Sequence, residues 1–334
     1  MRRVELTSGK VFDITKNETL LEAAGKAGIC LPYSCKMGRC SACKTRVIRG
    51  ESSTIQLEQG LTEAEKADGW VLSCVRKAET DLLLDVEDLT GVVLSKPKTL
   101  PCRIARMEIL APDVLGVWLR LPLTAVFEFM PGQYIEVLGN HGLRRSYSLA
   151  CAGMADNLLE LHVRAVQGGQ MSQYWFEQAK LNDLLRLYGP LGTFFIRPAA
   201  HKHLVFLATG TGIAPVKAML ESIAEMPQEQ RPASIRVLWG GRMPEDIYID
   251  ISAMPFGLQF TPVLSRAGET WTGARGYIQE VLLHTLPDWN NTVVYACGSD
   301  VMIQSARLAL VQAGLPRARF YSDAFVCSST YSIT

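Results

Sequence analysis

The 334-residue sequence predicts a multidomain protein that joins α+β and α/β parts: a small α+β unit, an antiparallel β-barrel and a doubly wound parallel sheet. The chain exceeds the ~100–150 residues of one ordinary domain, so it should divide into two or three, each with its own core. Between residues 102 and 198 short strand candidates follow one another at close spacing, the pattern of a small barrel. After residue 200 strand, glycine turn and helix alternate, which argues for parallel strands with a ligand at their carboxyl ends.

Composition narrows the function classes. With 48% hydrophobic and 20% charged residues the balance is that of a globular protein. A net charge of +1 offers no field to steer nucleic acid toward the chain, so none is expected as a partner. The opening MRRVELTSGKVFDITKNE has no apolar run of signal-peptide length, and no later run reaches the ~18 residues of a membrane span. A cytoplasmic protein without membrane contact is expected.

The first block, 1–92, opens with a hairpin-like VELTSGKVFDI. A helix with Leu20, Leu21 and Ala24 on one face, a cysteine-rich loop and the strand DLLLDVED follow. Residues 91–101, GVVLSKPKTLP, mix small, basic and proline residues without a period, as a linker does, with a boundary near 95. The second block, 100–198, carries the strand candidates RIARMEIL, VLGVWLRLP, QYIEVLG, SYSLACA and LLELHVRAV, then a helix from 171 and the turn YGPLGTF. The third, 199–334, carries HLVFLATGTGIAPVKAMLESIA, SIRVLWGG, LQFTPVLS and TVVYACGSDVMIQSARLALVQAG.

The loop YSCKMGRCSACK holds Cys35, Cys40 and Cys43, and Cys74 follows downstream. Nine cysteines in a reducing compartment suit free thiols or metal ligands, and an odd number fits a disulfide framework poorly. The spacing Cys-x4-Cys-x2-Cys with a distant fourth is that of a plant-type [2Fe–2S] site. Structural zinc, the alternative, prefers two short cysteine pairs, whereas here one short cluster has a lone partner. Gly38 and Ser41 are small enough to let backbone N–H groups approach sulfur, and Lys36, Arg39 and Lys44 add positive charge.

Three further constellations carry chemistry. Arg145-Ser146-Tyr147-Ser148 lies on a barrel strand, where an arginine can neutralise a flavin's pyrophosphate, a tyrosine can stack on its ring and Ser148 can reach N5. LHVRAV and then Gly168-Gly169-Gln170-Met171-Ser172 come next, at a helix start whose free N–H groups favour an anion; as a plain helix cap Ser172 would need no ligand. Thr209-Gly210-Thr211-Gly212-Ile213-Ala214-Pro215 joins an apolar strand to a helix, where glycines bring backbone close to phosphate, although such a turn can be purely topological. Tyr295-Ala296-Cys297-Gly298-Ser299 ends a later strand, where a nicotinamide would stack, although a buried cysteine also serves as a small hydrophobe.

In this order after CKMGRCSAC, the motifs RSYS, TGTGIAP and ACGS resemble the ferredoxin–NAD(P)H reductase superfamily over essentially the full length, in the form with an N-terminal plant-type ferredoxin domain. GQYIEV, RRSYSLA, ELHVRAV, GPLGTFFIR, APVKAM, TWTGARGY, VYACGS and FYSDAFV are similar to the CDP-6-deoxy-L-threo-D-glycero-4-hexulose-3-dehydrase reductases. Reductase components of ring-hydroxylating dioxygenases and multicomponent monooxygenases share most of them.

The resemblance implies a β-grasp ferredoxin domain, an FAD-binding barrel and an NAD(P)-binding domain. It assigns Cys35, Cys40, Cys43 and Cys74 to the cluster. To FAD it assigns Arg145, Tyr147 and Ser148, with His162, Val163 and Arg164 and with Gly169, Gln170, Met171 and Ser172. Thr209, Gly210, Thr211, Gly212 and Pro215 would hold the dinucleotide, Cys297 and Gly298 would face the nicotinamide, and Phe325, nine residues before the last, resembles the aromatic that covers the other flavin face. The sugar-reductase likeness implies NADH, whereas Ser265-Arg266, if not simply a solvated arginine at a strand end, is similar to the pair with which NADPH-using members grip the 2′-phosphate; NADH as main donor with appreciable NADPH use is expected. NAD(P)H gives up two electrons together and a [2Fe–2S] cluster takes one, so a flavin between them implies an electron-splitting reductase. Its partner would be a one-electron acceptor with an iron–sulfur or iron centre: CDP-4-keto-6-deoxyglucose-3-dehydratase in deoxysugar synthesis, or an oxygenase. A self-contained flavin reductase would have no use for the cluster.

Overall fold

The computed structural model describes residues 1–139, 142–254, 257–285 and 288–325. The chain forms two compact units, one of Met1–Leu94 joined by the described residues from Ser322 on, the other Ser95–Tyr321. Among the described residues no helix is long and apolar enough to cross a membrane.

The first unit is a mixed sheet crossed by a helix. Strands β1 (Arg2–Leu6) and β2 (Val11–Ile14) form the expected hairpin, with alternate side chains buried as the strand period of two requires. Helix α1 (Leu20–Lys26) starts at Thr19, whose hydroxyl accepts from Glu22 N at 3.1 Å while the Glu22 carboxylate accepts from Thr19 N at 3.0 Å. Strands β3 (Lys44–Arg49) and β4 (Ser52–Thr54), helix α2 (Glu63–Ala67), and strands β5 (Trp70–Leu72), β6 (Arg76–Ala78) and β7 (Leu82–Asp85) complete it. The main sheet runs β2-β1-β7-β3-β5, with β1 and β7 parallel at its centre. Val4, Leu6, Phe12, Leu82 and Leu84 bury against Leu20, Ala23 and Ala24 of α1, which is the β-grasp arrangement.

The barrel is antiparallel throughout: β8 (Lys98–Ala111), β9 (Val114–Arg120), β10 (Tyr134–Leu138), β11 (Arg144–Ser148), β12 (Leu158–Arg164) and β13 (Leu184–Leu191) in the order β11-β10-β13-β8-β9-β12. A bridge between Leu149 and Leu161 joins the two ends of that order. The helical stretch expected from 171 is α3 (Gln170–Gln173), continued by one π turn, Tyr174–Gln178.

Two expectations are corrected here. The last residues of the linker, Lys98–Pro101, are strand, tolerated because only β13 lies beside β8 at that point, so a residue without an N–H need not break a second ladder. The stretch read as the turn YGPLGTF begins inside β13 (Leu184–Leu191), a central strand whose last residues, Tyr188–Leu191, carry the Gly189-Pro190 that imitates a turn.

Nucleotide-type topology follows. Strand β14 (His203–Thr209) leads into helix α4 (Ile213–Glu225), then come β15 (Ser234–Gly241), β16 (Gln259–Leu264), β17 (Ala274–Arg275), α5 (Ile278–Leu283), β18 (Thr292–Ser299), α6 (Asp300–Gln312) and β19 (Phe320–Phe325). The sheet order β17-β16-β15-β14-β18-β19 shows the chain moving outward from β14 and returning on its other side. The crevice between the ends of β14 and β18 is therefore the switch point at which such sheets bind ligands. Phe206, Val216, Met219, Val237, Trp239 and Tyr295 pack its core.

Candidate functional site

The cysteine loop is shaped by left-handed residues, Lys36 (φ +55°), Gly38 (+70°) and Ser41 (+61°). At Gly38 a Cβ would stand 2.6 Å from the Leu57 carbonyl, so only glycine fits, and its own carbonyl accepts from Gln59 and Gly60 N–H. These turns aim backbone at sulfur: Met37 N and Cys40 N each lie 3.4 Å from Cys35 Sγ, and Cys35 N lies 3.3 Å from Cys40 Sγ. Cys43 Sγ and Cys74 Sγ are 3.2 Å apart.

The four thiols thus form two pairs. The Cys40 thiol, helped by the N–H groups of Met37, Arg39 and Cys40, pulls the Cys35 thiol down to about 6, and Cys43 likewise lowers Cys74. Cys40 and Cys43 are pushed up, first by the same partners and then by burial. Among the described residues no three ligating side chains converge on one ion. Two soft pairs with N–H groups turned on sulfur fit a two-iron cluster, which these four thiols would hold.

Next to this loop, Ser34 Oγ donates to Asp323 Oδ1 at 2.5 Å. Asp323 is buried, and burial pushes its carboxyl up to about 6. From the sequence this carboxylate is noted only as part of the motif FYSDAFV, with no role assigned to it. Phe325, at the end of β19, is exposed.

On β11, Arg145 and Tyr147 occupy alternate positions and share a face, both half-buried, and Ser148 is buried. Trp175 Nε1 donates to Tyr147 Oη at 2.9 Å and meets its ring edge-on at 6.1 Å and 87°. Burial pushes the Tyr147 phenol up to about 12, so it stays neutral and presents a fixed ring. A neutral, clamped aromatic beside an arginine fits a flavin nucleotide. The side chains of other expected flavin residues are engaged elsewhere. Val163 and Met171 lie in the barrel core, and the Ser172 hydroxyl accepts from Val166 N at 2.9 Å. His162 and Arg164 face the nucleotide-type sheet, bonding Tyr248 and Asp246.

The Thr209–Gly212 turn and the Cys297-Gly298 strand end interlock. A Cβ on Gly212 would lie 2.2 Å from the Cys297 carbonyl, and one on Gly298 2.1 Å from Thr209 Oγ1. Thr209 Oγ1 accepts from Ser299 N, and Trp239 Nε1 donates to the Gly210 carbonyl at 3.0 Å. Pro215 sits in the first turn of α4, where no N–H is missed. The turn is thus a cradle of bare backbone ahead of a 13-residue helix, which fits a dinucleotide's phosphates. Cys297 is fully buried beside Ala208 of β14. Ser265 and Arg266 are exposed just past β16, held to Gly241 and Arg242 by backbone bonds of 3.0 and 2.9 Å. Arg242, not singled out in the sequence, is thus the backbone neighbour of Arg266, with its guanidinium on Asp246.

Three family models match the chain in succession. Residues 4–79 match a 2Fe-2S iron-sulfur cluster binding domain, 101–196 an oxidoreductase FAD-binding domain and 206–308 an oxidoreductase NAD-binding domain. The chain is 39% identical over 96% of its length to the CDP-6-deoxy-L-threo-D-glycero-4-hexulose-3-dehydrase reductase of Yersinia pestis, covering 97% of that protein. It is 28% identical to reductase component 1 of terephthalate 1,2-dioxygenase of Comamonas sp, covering 96% of each chain. Among solved structures, a cytochrome P-450 reductase of Amycolatopsis superposes with a TM-score of 0.73 at 28% identity, covering 98% of this chain and 100% of that one.

Proposed function

Because the chain belongs to the ferredoxin–NAD(P)H reductase superfamily, in the form with an N-terminal plant-type [2Fe–2S] domain, we propose that it serves a sugar dehydratase of the CDP-4-keto-6-deoxyglucose-3-dehydratase type. It is an NAD(P)H-dependent iron–sulfur flavoprotein reductase. The bound groups supply one conversion: a two-electron parcel from NAD(P)H becomes single electrons for an iron-bearing acceptor.

The chain's own residues hold and orient. Cys35, Cys40, Cys43 and Cys74 ligate the irons. Arg145, Tyr147 and Ser148, with the backbone of 162–164 and 169–172, would hold FAD. Thr209, Gly210, Thr211, Gly212 and Pro215 hold the coenzyme's phosphates, Gly298 leaves room for it, and Cys297 shapes the nicotinamide's approach. Ser265 and Arg266 would meet the 2′-phosphate of NADPH and account for its appreciable use, with NADH as the main donor. Two reduced thiol pairs suit a cytoplasmic location.

The observation that carries the choice of acceptor is the identity to the Yersinia dehydrase reductase, 39% against 28% for the dioxygenase component, each over 96% of the chain. The test is to reduce the holoprotein with NADH and mix it with CDP-4-keto-6-deoxyglucose-3-dehydratase or with the terminal component of an aromatic-ring dioxygenase. Reoxidation about tenfold or more faster by the dehydratase is expected. The reverse preference would replace the dehydratase with an oxygenase.

A further inference from the structure

Strand β12 is apolar on one face only. Leu159, Leu161 and Val163 point into the barrel core, while Glu160, His162 and Arg164, at the alternate positions, share the opposite face. Each of these three reaches the nucleotide-type sheet and its helices. Glu160 Oε2 accepts from Lys217 Nζ of α4 at 2.9 Å. His162 Nδ1 lies 3.0 Å from Tyr248 Oη, in the segment after β15. Arg164 Nη2 donates to Asp246 Oδ1 at 2.9 Å, with its Nε on Asp113 Oδ2 at 2.8 Å.

The rungs are tied to one another and to the phosphate turn. His162 Nε2 lies 3.0 Å from Glu160 Oε1, and its side chain has no exposed surface. Lys217 returns to the barrel by donating to the Ala150 carbonyl at 2.8 Å, and Glu221 of α4 accepts from Ala152 N at 2.9 Å. The Tyr248 ring stands edge-on to His162 at 5.4 Å and to Trp239 at 5.0 Å, and Trp239 in turn holds the Gly210 carbonyl. Arg164 presses on the same turn, for its Nη1 lies 2.5 Å from where a Gly210 Cβ would be.

Buried polar groups lose most when their partner is withdrawn, and a linked set loses together. A slide of the barrel against the nucleotide-type sheet by one residue would unpair all three rungs at once, so the ladder admits a single register.

We propose that Glu160, His162 and Arg164 are positioning residues, a three-rung clasp that fixes the flavin barrel against the nucleotide turn and so sets how the coenzyme's reacting carbon meets the flavin. The proposal rests on the reductase reading above for its consequence, and on the ladder alone for its existence. Misplacement by ~1 Å is enough to slow a transfer step by about 100-fold without weakening binding, so a clasp acts on the rate rather than on affinity.

The test uses the full-length holoprotein with two variants. Tyr248→Phe deletes one hydroxyl and keeps the ring; Lys217→Met removes the Glu160 rung by a different route. For both we expect NAD+ affinity, read by fluorescence titration, within about twofold of wild type, and single-turnover flavin reduction by NADH slowed about tenfold. The double variant should lose less than the product of the two, because the rungs act as a unit. Amide hydrogen exchange on cofactor-free protein supplies an independent readout: faster exchange is expected in both 158–164 and 213–225. Lower thermal stability with unchanged flavin reduction would overturn the positioning role. Unchanged exchange in both segments would overturn the clasp itself. A wild-type protein that takes up no flavin would sink the reductase reading, while the exchange result still decides the ladder. Should one variant fail to fold, the other decides the same question.

Discussion

The cysteine loop and the Thr209–Gly212 turn are both tight and glycine-bearing, yet they carry their chemistry in opposite ways. In the loop the reactive atoms are side-chain sulfurs, and the backbone serves them by turning N–H groups inward. In the turn the working atoms are backbone, and the side chains matter by being absent: Gly212 and Gly298 leave the room that the two strand ends use to interlock. A site of the first kind is lost when an atom is removed, and one of the second kind when an atom is added.

The largest effect tests the first half of that contrast. Cys74→Ser should lose the cluster's about two irons per chain and abolish transfer to an iron-bearing acceptor, while NAD(P)H oxidation by ferricyanide persists. Loss of ferricyanide reduction with FAD still bound would mean that the two regions are not separable. Next, Gly212→Ala adds one carbon 2.2 Å from the Cys297 carbonyl and should weaken NAD+ binding by about 10–100-fold, with iron and flavin content intact. Calorimetric titration checks it, and a wild-type affinity would show that the turn yields easily. Cys297→Ala removes a sulfur from the backbone-type site, so it should slow hydride transfer on the order of 30-fold while coenzyme affinity changes little. Stopped-flow flavin reduction at wild-type speed would return Cys297 to the role of a small core residue. The smallest effect is expected from Arg266→Ala: kcat/KM for NADPH down about tenfold, the loss of a ~1.5 kcal/mol charge-assisted contact, with NADH nearly unaffected. Equal losses with both coenzymes would make Arg266 structural, and retention of NADPH use would pass the phosphate to its neighbour Arg242.

The same contrast explains what the sequence made legible. Cysteine spacing is a one-dimensional record of a three-dimensional ligand set, so the cluster site could be read directly, and the glycine turn could be read because it adjoins an apolar strand and a helix. Strand β13 stayed hidden because Gly189 and Pro190 imitate a turn, although the pairing of Leu184–Leu191 with β8 and β10 makes it central. The β12 clasp stayed hidden for another reason. Glu160, His162 and Arg164 are visible as an alternation, but Lys217, Tyr248 and Asp246 are far along the chain and carry no motif. Ser34 and Asp323, 289 positions apart, are the same case.

Strand β8 also sets a timetable for synthesis. Its second half can zip onto β9 as soon as both leave the ribosome, but Arg103 finds its partner Leu184 only 81 positions later. At ~5–20 residues per second that is a wait of about 4–16 s with one strand edge open. The stretch that waits holds Lys98, Pro101 and Arg103, residue types that discourage an open edge from joining a neighbouring chain. The irregular composition that made this segment look like a linker would then protect the nascent barrel from its neighbours on the polysome.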